Sequence, residues 1–366
     1  MPHPLSYFDP DNYQALWQKK TERVLTYFDD FDLPQPDIFP SADHAFRMRT
    51  EFRIWHEGEQ CSYVVFDSDA PKTPIFIQQF PIASAAIQRC MQPLLAHINQ
   101  HSVLRERLFQ IEFLSTTTNE LLVTLIYHKP LCDQWQAKAQ ALETFLQASI
   151  IGRSRKQRVV LSNDHVIEQL SVNGCKYRYV QPENAFSQPN AGVNKLMIEW
   201  ACRQVKKTGR GDLLELYCGS GNFTLPLANH LEKILATEIS KTGIRAATES
   251  CRLNAINNIE VVRLSSEETG AALSRQRAFR RLAHIDLDSY QFELLFVDPP
   301  RAGLDANTEQ FSQQFPAILY ISCNPVTLAK NLTALCQTHR IESFALFDQF
   351  PYTDHCECAV FLQKIC

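Results

Sequence analysis

Two periodicities divide the chain. Between Phe46 and Trp55 apolar and polar residues alternate. Phe46, Met48, Phe52 and Ile54 share one face, while Arg47, Arg49, Glu51 and Arg53 share the other. A repeat of two puts successive side chains on opposite faces, so this segment is predicted as a half-buried strand. Further strands are predicted at Ser62–Phe66, Pro74–Gln78, Phe109–Leu114 and Leu121–Tyr127, with helices over 82–99 and 133–148. The strands cluster instead of alternating strictly with helices, which predicts an α+β domain with a largely antiparallel sheet. It is expected to run to about residue 180. Upstream, residues 12–28 show helical spacing, and the Pro-rich Asp32–Pro40 reads as a connector.

From about residue 190 the pattern changes. A helix is predicted over 193–207. Short apolar runs then alternate with helical stretches, at 213–218, 234–238, 261–264, 294–297, 318–322, 343–347 and 359–363. Strand–helix alternation predicts a mainly parallel, doubly wound sheet. The last two runs lack a clear helix between them, so an antiparallel final strand is expected. The resulting division is 1–43, 44–185 and 186–366. No repeat, low-complexity segment or long apolar span interrupts it, and no membrane span is expected. The first residues lack the basic start and apolar block of a signal peptide, so a cytoplasmic protein is expected.

Charge refines this picture. The net charge of −4 excludes a generally polycationic nucleic-acid binder. It is a sum over unlike parts. Residues 1–43 carry eight acids and three bases, and the remainder nets +1 with basic clusters at 47–53, 153–158 and 203–210. The twelve cysteines are scattered, which suits reduced thiols.

Candidate chemistry lies at the ends of the predicted strands of the second half. Glu215-Leu-Tyr-Cys-Gly-Ser-Gly-Asn-Phe223 follows the first strand, and its two glycines permit a tight turn and close ligand approach. The third glycine of G-x-G-x-x-G is absent. The second strand ends in Glu238, an acid placed to meet ribose hydroxyls. A glycine turn plus a ribose acid, without a full phosphate cradle, implies an adenosine-containing cofactor lacking phosphate. The fourth strand ends in Val297-Asp298-Pro299-Pro300-Arg301, whose prolines force a rigid extended exit. The fifth ends in Ser322-Cys323-Asn324-Pro325. A strand-end cysteine is ordinarily an inert thiol, but this one lies opposite the glycine turn and beside Asp298, so it is a candidate nucleophile. The segment Asp348–Cys358 adds Asp354, His355 and Glu357 as acid/base candidates. Zinc at His355, Cys356 and Cys358 lacks clean ligand spacing.

The segments ELYCGSGNF, FVDPPRAGLD, ILYISCNP and DQFPYTDHCEC together resemble the RNA 5-methyluridine methyltransferases, particularly the bacterial branch acting on the T loop of tRNA. FRMRTEFRIWHEG, FQIEFLSTTTNE, FSQPN and ALFDQFPYT extend the resemblance over nearly the whole chain. It implies a C-terminal Rossmann-like methyltransferase domain using S-adenosyl-L-methionine and an N-terminal α+β, mainly antiparallel RNA-binding domain. It implies Cys323 as the nucleophile that adds to uracil C6 and Glu357 as the acceptor of the C5 proton. It further implies Gln188, Tyr217, Asn222, Glu238 and Asp298 as cofactor contacts, with Asp298 also able to touch the base. Arg47, Arg49 and Arg53 on an exposed strand face, with Phe109, are candidate RNA contacts. The T arm of tRNA and tRNA-like RNAs are the expected partners of a monomer without a metal cluster. Cys61, Cys90, Cys132 and Cys175 are too widely spaced for the compact iron–sulfur motif of related ribosomal-RNA enzymes. The same reaction on ribosomal RNA, and an RNA-folding protein with secondary methylation, remain alternatives.

Overall fold

The computed structural model describes residues 5–67, 70–209 and 211–365; Arg210, the end of the third basic cluster, lies outside them. The chain begins with α1 (Tyr13–Leu25) and a short strand β1 (Asp37–Phe39). There follow β2 (Arg49–Glu57), β3 (Gln60–Val65), β4 (Ile75–Phe76), α2 (Ala85–Gln100), α3 (Ser102–Arg105), β5 (Leu108–Ser115) and β6 (Leu121–Tyr127). Next come α4 (Asp133–Leu146), β7 (Ser149–Ser154), β8 (Gln157–Val160), and a hairpin of β9 (His165–Val172) and β10 (Cys175–Pro182). The second half holds α5 (Ala191–Val205), β11 (Asp212–Leu216), α6 (Thr224–Leu227), β12 (Ile234–Glu238), α7 (Lys241–Leu253), β13 (Ile259–Arg263) and α8 (Ser266–Leu273). It closes with β14 (Phe292–Val297), α9 (Ala306–Ser312), β15 (Ala317–Ser322), α10 (Pro325–Leu335), β16 (His339–Phe347) and β17 (Glu357–Lys364).

The first sheet runs β4-β3-β2-β5-β6-β7-β8, antiparallel except where β6 meets β7. Its alternation is the one read in the sequence: β2 buries Thr50, Phe52 and Ile54 and exposes Glu51, Arg53 and Trp55. Phe52 meets Phe80 edge-on at a centroid distance of 4.9 Å inside the core.

The hairpin β9–β10 was not visible in the pattern. Glu168 occupies an inward position of β9 and breaks the apolar alternation. Its carboxylate accepts from the Thr117 backbone, which satisfies the buried charge. The hairpin packs on the second half, where Val180 N donates to Ser250 Oγ at 2.9 Å and Arg178 N to Asn254 Oδ1 at 2.9 Å.

The second sheet runs β1-β16-β17-β15-β14-β11-β12-β13. All neighbours are parallel except β17, which is antiparallel to both β15 and β16, as the missing helix before it predicted. Parallel strands covered on both faces read as unbroken apolar runs, and β14 and β15 are buried along almost their full length. The chain winds outward through β12 and β13, then returns to β14 beside β11. The strand order therefore reverses between β11 and β14, and ligands of such sheets bind outside the carboxyl ends at that reversal.

The stretch read as a connector contains β1. Asp37 pairs with Ala345 and Phe39 with Phe347, extending the second sheet by one parallel strand. The Phe39 and Phe347 rings stack at 4.7 Å, and Trp200 Nε1 donates to Asp37 at 2.9 Å. Three residues are too few to show a period, so only the tertiary partner reveals the strand. No helix among the described residues is long and apolar enough to cross a membrane.

Gly243, in the first turn of α7, lets that helix approach the glycine turn after β11. A Cβ there would lie 2.9 Å from the Gly219 carbonyl oxygen and 3.1 Å from Glu238 Cγ. Gly243→Ala is therefore expected to lower unfolding stability by about 1–3 kcal/mol, read by urea denaturation, and to weaken S-adenosylmethionine binding measured by calorimetry.

Candidate active site

The cofactor end of the cleft forms where β11 stops. Tyr217, Gly219 and Gly221 all have positive φ, at 61°, 57° and 83°. At Gly219 a Cβ would meet nothing within 4 Å, so the backbone there faces open space. Gly219 N donates to Glu238 Oε2 at 3.1 Å, and Ser240 N donates to Glu238 Oε1 at 2.7 Å. Each oxygen keeps a lone pair free for a ribose hydroxyl. Asn222 and Asn194 exchange two amide hydrogen bonds of 2.8 Å, which fixes Asn222 beside the turn. Gln188 accepts from Gln349 at 2.7 Å, joining the segment before α5 to the loop between β16 and β17. Gln188, Tyr217, Asn222, Glu238 and Asp298 are all half-buried, as side chains lining an open cleft must be.

Register dictates the chemical end. In the strand pairing Val297 lies beside Tyr320, and Ser322 beside Cys358. Asp298, Cys323 and Glu357 thus occupy three adjacent strand ends. Asn324 caps α10 through Val326 N and Pro325 opens its first turn, so Cys323 is the hinge residue between strand and helix. Desolvation lifts the Asp298 carboxyl to about 7, although part of its surface opens to the cleft mouth. Glu357 is 3% exposed and Oε2 has no hydrogen-bond partner. Burial first, then the Asp298 charge, raises its pKa well above the carboxylate range. Burial, Glu357 and Asp298 push the Cys323 thiol up to about 11, against the opposing pull of Arg301. Glu215, inside β11, is a further buried carboxyl that the motif reading gave no role. Burial lifts it to about 8, Oε2 is unpartnered, and its charge couples to Asp298.

Unpaired buried carboxyls beside an open backbone turn suit a cationic, phosphate-free adenosine cofactor. S-adenosylmethionine fits these residues: Glu238 for the ribose, the Tyr217–Asn222 turn for close backbone approach, and Asp298 for the positive end. Among the described residues no group of three or more His, Cys, Asp or Glu could hold a metal ion. None of the cysteines among them is paired.

The basic residues divide in an unexpected way. Arg47 precedes β2 and Arg49 opens it; both are half-buried, not on an exposed strand face. Arg47 Nε donates to the Arg49 carbonyl at 2.8 Å, and the Arg49 guanidinium donates to the carbonyls of Glu183 and Ala185. Arg49 thereby holds the 183–185 segment, which leads into the second half, against the start of β2. Arg53 is exposed and sits over the Phe109 ring at 3.9 Å. Phe109 stacks on His128 at 4.1 Å, a partner the sequence reading missed because β5 and β6 bring it there. His128 and Lys129 line a concavity of about 790 Å³ with Arg153 and Arg155. Arg153 and Arg158 are paired to Glu183, so Arg155 and Lys156 are the exposed cations of that knot.

Residues 12–365 match the family described as tRNA (Uracil-5-)-methyltransferase. The chain is 51% identical over its whole length to all of a tRNA/tmRNA (uracil-C(5))-methyltransferase of Cellvibrio japonicus. It is 48% identical to the enzyme of that name from Colwellia psychrerythraea, covering 98% of this chain and 99% of the relative. The structure of Pyrococcus abyssi tRNA (uracil-54, C5)-methyltransferase in complex with S-adenosyl-L-homocysteine shares the fold, with a TM-score of 0.72 and 19% identity. That likeness covers 96% of this chain and 83% of the archaeal one. Fold and cleft together define an S-adenosylmethionine-dependent methyltransferase. The chain belongs to the tRNA (uracil-5-)-methyltransferase family.

The raised thiol makes a direct prediction. Below its pKa the thiolate fraction grows about tenfold per pH unit. Iodoacetamide labelling of Cys323, followed by peptide mass spectrometry without RNA, is expected to accelerate about tenfold from pH 8 to 9 and again from 9 to 10. A plateau already reached at pH 8 contradicts the assignment.

Proposed function

We propose that the protein methylates C5 of a uridine in the T loop of tRNA, and in the tRNA-like loop of tmRNA. The observation that carries this reading is the meeting of Cys323, Asp298 and Glu357 at the ends of β15, β14 and β17. Uracil C5 is too weak a nucleophile to attack a methyl group unaided. Cys323 Sγ adds to C6 as the thiolate, its proton having passed to solvent, and the C5=C6 electron pair moves into the ring as an enolate, making C5 carbanion-like. S-adenosylmethionine, when bound, supplies an electrophilic methyl group. C5 takes that methyl, and S-adenosylhomocysteine is the leaving product. Glu357 then removes the C5 proton. The Sγ–C6 bond breaks as C5=C6 re-forms, returning the thiolate. A carboxylate raised by burial is the stronger base this carbon acid requires. The buried Asp298 carboxyl is placed both to face the positive cofactor and to touch the pyrimidine.

The target uridine must be turned out of its loop, at a cost of a few kcal/mol. The α+β part, residues 44–185, offers the compensation. Arg53, Phe109 and His128 form a stacked column on its outer surface, and the exposed Arg155 stands nearby for phosphates. The relatives' tRNA/tmRNA names favour these substrates over ribosomal RNA. We take the protein to work as a monomer in the cytoplasm, whose reducing conditions suit the unpaired thiols among the described residues.

A T-stem-loop carrying 5-fluorouridine tests the chemistry. With S-adenosylmethionine it is expected to form a denaturant-stable adduct at Cys323, since fluorine cannot leave as a proton. Cys323→Ala should form none and should lose methyl transfer to unmodified tRNA. RNA binding without any adduct would sink the mechanism. On the RNA side, Phe109→Ala and His128→Ala are each expected to weaken T-arm binding by about tenfold, the scale of one lost stacking contact. The slope of log affinity against log salt should stay small, with a magnitude below about 5, because few cations are free to meet phosphates.

A further inference from the structure

Nothing in the proposed reaction uses the first 45 residues, yet they grip the loop that carries the base. Lys20 lies on the inward face of α1 with Tyr13, Trp17 and Val24, and is 8% exposed. Its ammonium has three protons and three acceptors. It donates to Asp348 Oδ1 at 2.6 Å, to the Phe350 carbonyl at 2.9 Å and to the His355 carbonyl at 3.1 Å. Asp348 opens the β16–β17 loop and His355 closes it, two residues before Glu357. One buried cation therefore ties both ends of the loop to a single point. The other Asp348 oxygen accepts from Tyr13 Oη at 2.8 Å, and that hydroxyl accepts from Ser41 N at 2.6 Å. Asp348 N donates to the Phe39 carbonyl at 3.0 Å, and Tyr352 Oη to the Asp43 carbonyl at 2.6 Å. His355 in turn meets Arg301 of the D-P-P-R segment, Nδ1 to Nη2 at 3.0 Å.

We propose that Lys20 is a positioning residue for Glu357: from α1 it sets the loop ends so that the base reaches the C5 proton. This rests on the reading of Glu357 as the base. Among the described residues Glu357 makes no side-chain hydrogen bond that would aim it, its buried Oε2 being unpartnered. Its placement must come from its backbone, which β17 fixes on one side and the Lys20-bound loop on the other. The steps of the reaction then respond unequally. Thiol addition and methyl transfer depend on Cys323 and the cofactor turn. Proton removal depends on Glu357 alone and suffers first when the loop shifts.

The variant Lys20→Met/Asp348→Asn tests this. Replacing both partners avoids leaving a buried charge alone, so the fold is retained while the contacts to Phe350 and His355 are lost. With ordinary uridine tRNA and S-adenosylmethionine, the expected result is a kcat reduced by about tenfold to a hundredfold, with KM for tRNA changed by no more than about twofold. A methylated, denaturant-stable enzyme–RNA adduct should also accumulate, because elimination waits for proton removal. A loss of stability alone does not generate that adduct. Glu357→Gln is run alongside. If it also fails to accumulate adduct, the assignment of the base is wrong. If it accumulates adduct and the double variant shows wild-type kcat and none, the positioning role of Lys20 is overturned. Should the double variant not fold, Tyr13→Phe, which deletes one hydroxyl of the same network, decides by the same adduct measurement. Its accumulation supports the inference, and adduct-free wild-type turnover overturns it.

Discussion

Desolvation of unpaired acids is the constraint around which the molecule is arranged. Asp298 and Glu357 face one cleft, and among the described residues neither has an ion-pair partner. Burial of this kind is costly, and proteins tolerate it where it serves a site. Here it does two opposed things. In the proposed reaction it makes the ionised Glu357 carboxylate a stronger base toward the C5 proton. It also holds the neighbouring thiol in its neutral form, because thiolate and carboxylates would repel across the same dry gap. A cleft built this way is quiet until a positive charge enters it. Glu215, lifted to about 8 by the same burial and unpartnered at Oε2 one strand away, belongs to the same set of desolvated carboxyls.

The two halves divide the labour. The outer face of the first sheet presents aromatic and cationic surface in the Arg53–Phe109–His128 column. The strand ends of the second sheet carry the residues proposed for the reaction. Other cations of the first half are structural: Arg49 holds the carbonyls of 183 and 185, and Arg153 and Arg158 clasp the buried Glu183. Of the two basic clusters within that half, these three side chains are thus engaged by the chain itself.

Local signals in the sequence located the strand ends on which the candidate site is built. Cys323 and Asp298 were readable because each sits at a strand end marked by proline, and strand ends are encoded by adjacent residues. The antiparallel turn into β17 was readable from a missing helix. What failed were features defined by distant partners. β1 exists only because β16 lies beside it. Lys20 looks like one more surface lysine until Asp348 is seen 328 positions away. Arg47 and Arg49 matched the alternating pattern, but the strand begins later than the alternation. The first belongs to an isolated bridge with Ala83 and Asn190 instead. His128 carried no signal at all, since nothing local couples it to Phe109.

The clasp between α1 and the final loop has a consequence for how the protein comes into being. Tyr13 and Asp348 are 335 positions apart, so α1 leaves the ribosome long before its binding site is synthesised. Closing so large a loop is entropically unfavourable and slow, and it comes late in folding. During that interval Tyr13, Trp17 and Val24 have no core to cover. The eight acids of the first 43 residues then act as a solubilising coat on an unfinished chain. The nascent protein stays dispersed and without an assembled base until its last strands are made.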